Sequence, residues 1–81
     1  MSEESLYLPK LGMQMQEATV VRWLKAPGDH VVSGEPVCVI STDKVEAEIE
    51  SETDGTLVRI EIPEGGTAPV GASLAVIETG H

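Results

Sequence analysis

Hydrophobic and polar positions alternate along this chain in short runs, which are broken by clusters of glycine and proline. In Leu57–Ile62 the isoleucines alternate with charged residues, the period of two expected of a half-buried strand. Val37–Ile40 and Leu74–Ile77 are short, continuously apolar runs bounded by polar residues. The pattern predicts an all-β protein of short strands joined by tight turns.

The chain contains an internal repeat at a shift of 37 residues. Residues 19–42 align without a gap on residues 56–79, and eight of the 24 paired positions are identical. Because repeated units share one local structure, Met13–Lys25 is predicted to be a strand like its counterpart, although alone it could pass for a helix. Two β units too small to bury their own apolar faces predict a single domain over residues 1–81, a flattened sandwich or barrel with pseudo-two-fold symmetry.

Each copy also has two turns at equivalent places. The first lies at Ala26–Asp29 or Pro63–Gly66 and the second at Ser33–Glu35 or Val70–Ala72, each with a glycine that can adopt positive φ. Under the pseudo-two-fold symmetry, the segment that joins the copies corresponds to the chain's own ends. We therefore expect that segment, Asp43-Lys44, at one end of the molecule and the termini at the other.

The joining segment forms a predicted hairpin. Val45–Glu52 alternates between apolar residues, with Val45, Ala47 and Ile49 on one face, and glutamates on the other. Only residues 41–44 separate it from the preceding apolar strand, so a tight turn is expected at Thr42–Val45.

Lys44 is thereby expected to project into water. Exposed lysines are ordinarily solubilising charges, and their amine, with a pKa near 10.4, is a poor nucleophile at neutral pH. A separate ligase would therefore have to activate it, and the position at the tip of a rigid turn is what such a ligase could read.

Composition and charge exclude several classes of function. The chain is 81 residues long with a net charge of −9, too short for a deep catalytic cleft and of the wrong sign for nucleic acid. No apolar run is long enough to cross a bilayer and no secretory signal is apparent, which favours a cytoplasmic protein. The domain is also expected to be a monomer. The sequence has no Ser/His or Cys/His pair and no phosphate-binding glycine loop that would indicate an enzyme.

The remaining polar and aromatic residues have structural interpretations. Cys38, the single cysteine, is expected to be a small buried hydrophobe. Trp23 is expected to pack in the core with an acceptor for its indole N–H. His30 and His81 have no partners at metal-site spacing, so we assign no metal.

The stretch Ser41–Val45 resembles the Thr-Asp-Lys modification motif of lipoyl domains from the dihydrolipoamide acyltransferases of 2-oxo acid dehydrogenase complexes. The similarity extends to Leu8–Met13, to Val21–Lys25 with the following Pro27–Asp29, and to Asp54–Leu57. It implies a flattened barrel or sandwich of two four-stranded antiparallel sheets. This expectation agrees with the fold inferred from the repeat.

The resemblance implies lipoic acid bound by an amide to Lys44, with Asp43 and Val45 as the flanks read by a lipoate ligase or lipoyl transferase. The modified chain would act as a swinging arm. It would shuttle acyl groups and reducing equivalents between a thiamine-dependent 2-oxo acid decarboxylase, an acyltransferase core and a flavin-dependent dihydrolipoamide dehydrogenase. The opening Leu11-Gly12-Met13 leans toward pyruvate or acetoin complexes.

Two surface regions are candidates for partner docking. The acidic row Glu46, Glu48, Glu50 and Glu52 is typical of a solvated sheet face, but with Asp43 it could select a basic surface. In lipoyl domains a loop near the lysine turn helps partner enzymes to discriminate. Here that loop would include Gly12, Met13 and Gln14, although filling the side of the barrel is an equal alternative.

Three alternatives remain. Biotinyl carriers share the expected fold but place methionine on both sides of their lysine, where this chain has Asp43 and Val45. Glycine-cleavage carriers are longer and add helices. An unmodified β interaction module is also compatible with the repeat. Because no Ala/Pro-rich linker follows Glu78, we expect an excised domain or a free-standing carrier.

Overall fold

The computed structural model describes residues 2–10, 15–43 and 45–79 of the chain. This part of the chain forms eight β-strands: β1 (Glu3–Tyr7), β2 (Glu17–Trp23), β3 (His30–Val31), β4 (Pro36–Ser41), β5 (Glu46–Glu50), β6 (Gly55–Ile60), β7 (Thr67–Pro69) and β8 (Ser73–Glu78). Across the described ranges, no helix is long and apolar enough to cross a membrane. The prediction of an all-β fold is confirmed.

The strands form two four-stranded antiparallel sheets. The sheet that we call the terminal sheet has the order β1-β8-β6-β3, and the hairpin sheet has the order β5-β4-β2-β7. The sheets pack as a flattened sandwich and are not closed into a continuous barrel. The molecule is elongated, with dimensions of 38 × 21 × 18 Å.

The pseudo-two-fold symmetry is present strand by strand. β4 and β8 have identical bounds after the shift of 37 residues, and each is an inner strand of its sheet. Even the irregularities repeat, because the pairing register shifts between Val20 and Arg22 in one copy and between Leu57 and Arg59 in the other. A bulge increases local twist, so both copies bend at the same point.

The predicted turns are also confirmed. Of the glycines in the described ranges, four have positive φ, at angles that most side chains avoid: Gly28 (97°), Gly34 (87°), Gly65 (84°) and Gly71 (91°). Gly28 corresponds to Gly65, and Gly34 to Gly71, in the repeat. Each copy therefore depends on glycine at the same two turns.

The core between the sheets is almost entirely aliphatic. Its buried residues are Leu6, Leu8, Ala18, Val20, Val31, Val37, Cys38, Ile40, Ile49, Leu57, Ala68, Leu74, Ala75 and Ile77. Trp23 packs against their edge, half-buried, and its Nε1 donates a hydrogen bond to the carbonyl of Ile62 at 2.9 Å. Cys38 is fully buried. The predictions for both residues are confirmed.

The described ends of the chain meet, and they lie away from the hairpin. The backbone N–H of Thr79 donates to the carbonyl of Ser2 at 2.7 Å. Near its start, β2 lies beside the hairpin, where Thr19 pairs with Ser41. After β2 and the following turn, the chain enters the terminal sheet at His30, which pairs with Thr56.

Thr56 in turn pairs with Glu78, next to the joined ends. β2 and its following turn thus cross the molecule from the hairpin to the ends, as the symmetry predicts.

Three sequence-based boundaries are wrong. Among the described residues of the predicted strand Met13–Lys25, only Glu17–Trp23 is a strand. Val45 does not share an inner face with Ala47 and Ile49, because β5 begins at Glu46 and the carbonyl of Val45 closes the turn instead. Val45 is accordingly 52% exposed. β6 ends at Ile60, two residues before the predicted end of that strand, because the next two backbone N–H groups both donate to the carbonyl of Leu74 and the ladder stops there.

Candidate functional site: the hairpin between β4 and β5

The hairpin joins a buried strand to an edge strand. β4 is an inner strand whose residues Val37–Ile40 are all buried, and β5 forms one edge of the hairpin sheet. The two strands stay paired up to their last residues, where Ser41 faces Glu46. The turn therefore begins directly at the end of a firmly held strand.

The turn itself is closed by contacts between Thr42 and Val45. The backbone N–H of Thr42 donates to the carbonyl of Val45 at 2.8 Å. The Thr42 hydroxyl accepts from the N–H of Val45 at 3.2 Å and lies 3.4 Å from its carbonyl oxygen. Only two residues, Asp43 and Lys44, separate this pair in the sequence, as predicted.

Lys44 lies outside the described residues. Its neighbours in the sequence, Asp43 and Val45, are both exposed, and so is Glu46. The residues on both sides of the lysine are therefore accessible from solvent. This accessibility fits covalent attachment of a group to a lysine at this position.

An acidic row follows the turn along β5. Glu46, Glu48 and Glu50 are exposed, as the alternating pattern predicts, and Glu52 is exposed just beyond the strand. Their cross-strand neighbours on β4 carry no charge: Ser41 faces Glu46, Val39 faces Glu48 and Pro36 faces Glu50. Cross-strand cations therefore do not neutralise the row.

Beside this row the outer face of the hairpin sheet has a shallow depression. It is lined by Val21, Arg22, Val39, Glu46, Ala47 and Glu48. Val39 is 6% exposed and lies between Arg22 and Glu48 in the cross-strand pairing. The surface next to the turn thus combines a small apolar floor with charged rims.

Among the described residues, the ionisable groups with shifted pKa values lie away from the turn. Burial raises the pKa of the Cys38 thiol to about 12, so the thiol is protonated at neutral pH. The pKa of Glu35 is lowered, first by its bond with Lys25, whose Nζ lies 3.1 Å from Glu35 Oε2, and then by the N–H of Val32. The Glu35 pair supports the turn at Gly34 and has no part in the hairpin.

The structure places the other candidate residues as follows. Gly12, Met13 and Gln14 lie outside the described residues, so their assignment to a docking loop stays a prediction. Met15, next in the chain, is half-buried against the core. His30 is exposed at the start of β3, opposite Thr56. Among the described residues, no group of three or more His, Cys, Asp or Glu side chains could hold a metal ion.

Sequence reasoning missed the role of the Thr42 side chain. The sequence places Thr42 in the predicted turn and in the Thr-Asp-Lys motif but assigns its side chain no role, whereas its hydroxyl bridges the turn. The available signal was the repeat, which aligns Thr42 with Thr79. The Thr79 hydroxyl likewise donates to a strand-opening carbonyl, that of Ser2, at 3.1 Å.

These features define a class. A two-sheet sandwich made of two equivalent halves, with an exposed lysine-containing turn opposite the joined chain ends, has the architecture of a covalent-attachment carrier domain.

Comparison with known proteins agrees with this class. The family model for biotin and lipoyl attachment, described as "Biotin-requiring enzyme", matches residues 4–77. The solved lipoyl domain of the 2-oxoglutarate dehydrogenase complex from Azotobacter vinelandii is 32% identical, with a TM-score of 0.76, over 95% of this chain and 98% of that one. The chain belongs to the biotin/lipoyl attachment family.

Curated relatives show which members of this family the chain resembles in sequence. The chain is 50% identical over 70 residues to the dihydrolipoyllysine-residue acetyltransferase component of the pyruvate dehydrogenase complex of Mycobacterium bovis, covering 86% of this chain and 13% of that protein. It is 40% identical to the lipoamide acyltransferase component of the branched-chain alpha-keto acid dehydrogenase complex of Bacillus subtilis, covering 98% of this chain and 19% of that protein.

The chain thus spans less than a fifth of the length of either relative. It is a carrier domain of the lipoyl/biotinyl type, of the kind found in such acyltransferase components, and not a catalytic domain.

The structure of a carboxylase also matches in fold. Urea carboxylase of Kluyveromyces lactis superposes with a TM-score of 0.80 and 26% identity, over 96% of this chain and 6% of that protein. The family model covers both biotin and lipoyl attachment. The fold alone therefore does not distinguish the two, and the residues around the turn have to do so.

Proposed function

We propose that the chain is a lipoyl carrier domain in which lipoic acid is joined by an amide to Lys44. The observation that carries this proposal is the hairpin turn, where a two-residue Asp43-Lys44 connection stands between Thr42 and Val45 at the end of the molecule away from the chain ends. The identity with the Azotobacter lipoyl domain across nearly the whole of both chains supports it.

The chain's own residues supply attachment, presentation and recognition. β4 and β5 fix the base of the turn, and the exposed flanks Asp43 and Val45 leave room for a ligase. When bound, the dithiolane of lipoic acid supplies the chemistry for carrying acyl groups and electrons. Because the ends of the chain meet at the far end, a tether there would leave the turn free to visit several active sites.

The partners follow from this proposal. The modified domain would be a substrate for a lipoate ligase or lipoyl transferase, then for a thiamine-dependent 2-oxo acid decarboxylase, an acyltransferase core and a flavin-dependent dihydrolipoamide dehydrogenase. The acidic row Glu46–Glu50, unopposed by charge on β4, would favour a basic docking surface on such a partner.

The test is intact-mass analysis after incubation with lipoate ligase, lipoate and ATP. We expect one lipoyl adduct on the wild-type domain and none on Lys44→Arg, which keeps the charge but not the acylable amine. Amide formation also removes one positive charge, so the net charge should change from −9 to −10 on a native gel.

Biotin is the second candidate, favoured by the matching family model, which covers biotin as well as lipoyl attachment. A parallel incubation with biotin ligase, biotin and ATP separates the two candidates. We expect no biotin adduct, because Asp43 and Val45 stand where biotinyl carriers have methionine. A biotin adduct at Lys44 without a lipoyl adduct would replace the proposed function with the biotinyl one.

A further inference from the structure

The turn between Thr42 and Val45 has little support from the core. Asp43 and Val45 are exposed, and Val45 does not lie on the inner face of the hairpin sheet with Ala47 and Ile49. The backbone pair between Thr42 and Val45 and the Thr42 side chain are what join its two sides among the described contacts. The conformation of the turn therefore depends on these bonds more than on packing.

The Thr42 hydroxyl makes contacts that a methyl group cannot. It accepts from the N–H of Val45 at 3.2 Å and lies 3.4 Å from the carbonyl of the same residue. A hydroxyl can serve as donor and acceptor at once. One side-chain oxygen thus closes the ring of backbone that contains Asp43 and Lys44.

From this geometry we infer that Thr42 is a positioning residue for the modification of Lys44. Its hydroxyl holds the two-residue turn in the conformation that the ligase binds. This inference rests on the proposed function. Without the hydroxyl, the turn would sample more conformations. The apparent affinity of the ligase for the domain would then fall in proportion to the fraction of molecules whose turn is in the competent conformation.

The repeat provides a matched control. Thr79 occupies the equivalent position in the second copy, donates its N–H to the carbonyl of Ser2 at 2.7 Å, and donates its hydroxyl to the same oxygen at 3.1 Å. Removing the hydroxyl of Thr79 therefore makes the same chemical change at the opposite end of the molecule. It should leave the hairpin untouched.

The experiment compares steady-state lipoylation of wild type, Thr42→Val, Thr42→Ser and Thr79→Val by one lipoate ligase. For Thr42→Val we expect KM for the domain to rise about three- to tenfold, the factor that one net hydrogen bond contributes to an equilibrium, with kcat unchanged. Thr42→Ser restores the hydroxyl and should return KM to the wild-type range. Thr79→Val should match wild type.

Amide hydrogen exchange gives an independent readout. The amide of Val45, which donates to the Thr42 hydroxyl, should exchange faster in Thr42→Val and at the wild-type rate in Thr42→Ser and Thr79→Val.

A wild-type KM for Thr42→Val, an equal rise for Thr79→Val, or a failure of Thr42→Ser to rescue would each overturn the positioning role. A wild-type domain that takes no lipoate would instead overturn the proposed function itself.

Discussion

The two ends of this molecule share one backbone hydrogen-bonding pattern but differ in the residues that they carry. At one end Thr42 closes onto Val45, and at the other Thr79 closes onto Ser2, with N–H to carbonyl distances of 2.8 and 2.7 Å. At the first end the chain continues through Asp43-Lys44, whereas at the second it enters and leaves the fold. The repeat therefore provides the same closing contact at both ends, and the two inserted residues distinguish the proposed attachment end from the other.

The same comparison extends along the two copies. Both copies have glycines with positive φ at their two equivalent turns. The predictions below use equivalent positions in the two copies as controls for each other.

The largest effect is expected from Cys38, whose equivalent in the second copy is the buried Ala75. The folded thiol keeps its proton until about pH 12, whereas the unfolded thiol loses it above a pKa of 9.0. Between these values the folded state binds more protons, so stability falls as pH rises, by about 1.4 kcal/mol per pH unit for this one group.

Urea denaturation of wild type and Cys38→Ala at pH 8, 9.5 and 10.5 isolates that group. The stability of wild type relative to the variant should be constant up to about pH 9 and then decline. A difference that stays constant to pH 10.5 would show that the thiol is not held protonated. The buried Ala75 in the second copy indicates that the fold accepts alanine at the position equivalent to Cys38.

A second effect is expected at Gly55, whose equivalent in the first copy is Ala18. A Cβ on Gly55 would overlap the carbonyl oxygen of Glu78 and come within 2.9 Å of the Ile77 side chain. Gly55→Ala should therefore destabilise the domain by about 1–3 kcal/mol, the usual cost of overpacking.

The reverse change, Ala18→Gly, should cost about 1–2 kcal/mol, through backbone entropy and the loss of one buried methyl group. Urea denaturation of both variants measures the asymmetry. Equal losses at the two sites would mean that the copies are packed alike here.

A smaller and symmetric effect is expected at Gly34 and Gly71, with φ of 87° and 91°. No atom lies within 4 Å of a Cβ built at either position, so substitution strains only the backbone. Each change to alanine should cost about 1–2 kcal/mol. In thermal or urea unfolding the two should agree within about 0.5 kcal/mol, and a large difference would contradict the equivalence of the copies.

The smallest effect is expected from the acidic row. Glu46 pairs with the last residue of β4 as Glu3 pairs with the last residue of β8. The double change Glu46→Lys with Glu48→Lys can therefore be compared with Glu3→Lys with Glu4→Lys, which makes the same change in net charge. The hairpin pair should lower reductive acylation by the decarboxylase about two- to fivefold at low salt, since each exposed ion pair contributes less than about 1 kcal/mol.

The control pair at the terminal end should have no such effect, and high salt should reduce the loss. Equal losses for both pairs would indicate a response to net charge, and no loss for either would remove the docking role.

Much of the fold could be predicted from the sequence, because it depends on signals that repeat. The shared glycines marked the turns, and the period-two pattern of one copy identified β2 as a strand in the other. β3 and β7 could not be predicted in this way, since strands of two and three residues are too short to show a period.

The site was predictable in position but not in detail. The length of the connection indicated the turn, yet the exposure of Val45 and the bridging hydroxyl of Thr42 depend on the register of a single hydrogen-bonded pair. A shift of one residue moves every side chain of a strand to the other face. The sequence alone does not determine that register.

Site mapping of the lipoylated domain tests the central claim most directly. The chain has three lysines, Lys10, Lys25 and Lys44, so the two others serve as internal controls. Tandem mass spectrometry of peptides from the ligase-treated domain should find the lipoyl group on Lys44 and unmodified amines at Lys10 and Lys25. A lipoyl group on either of the other lysines, or on none of the three, would contradict the account.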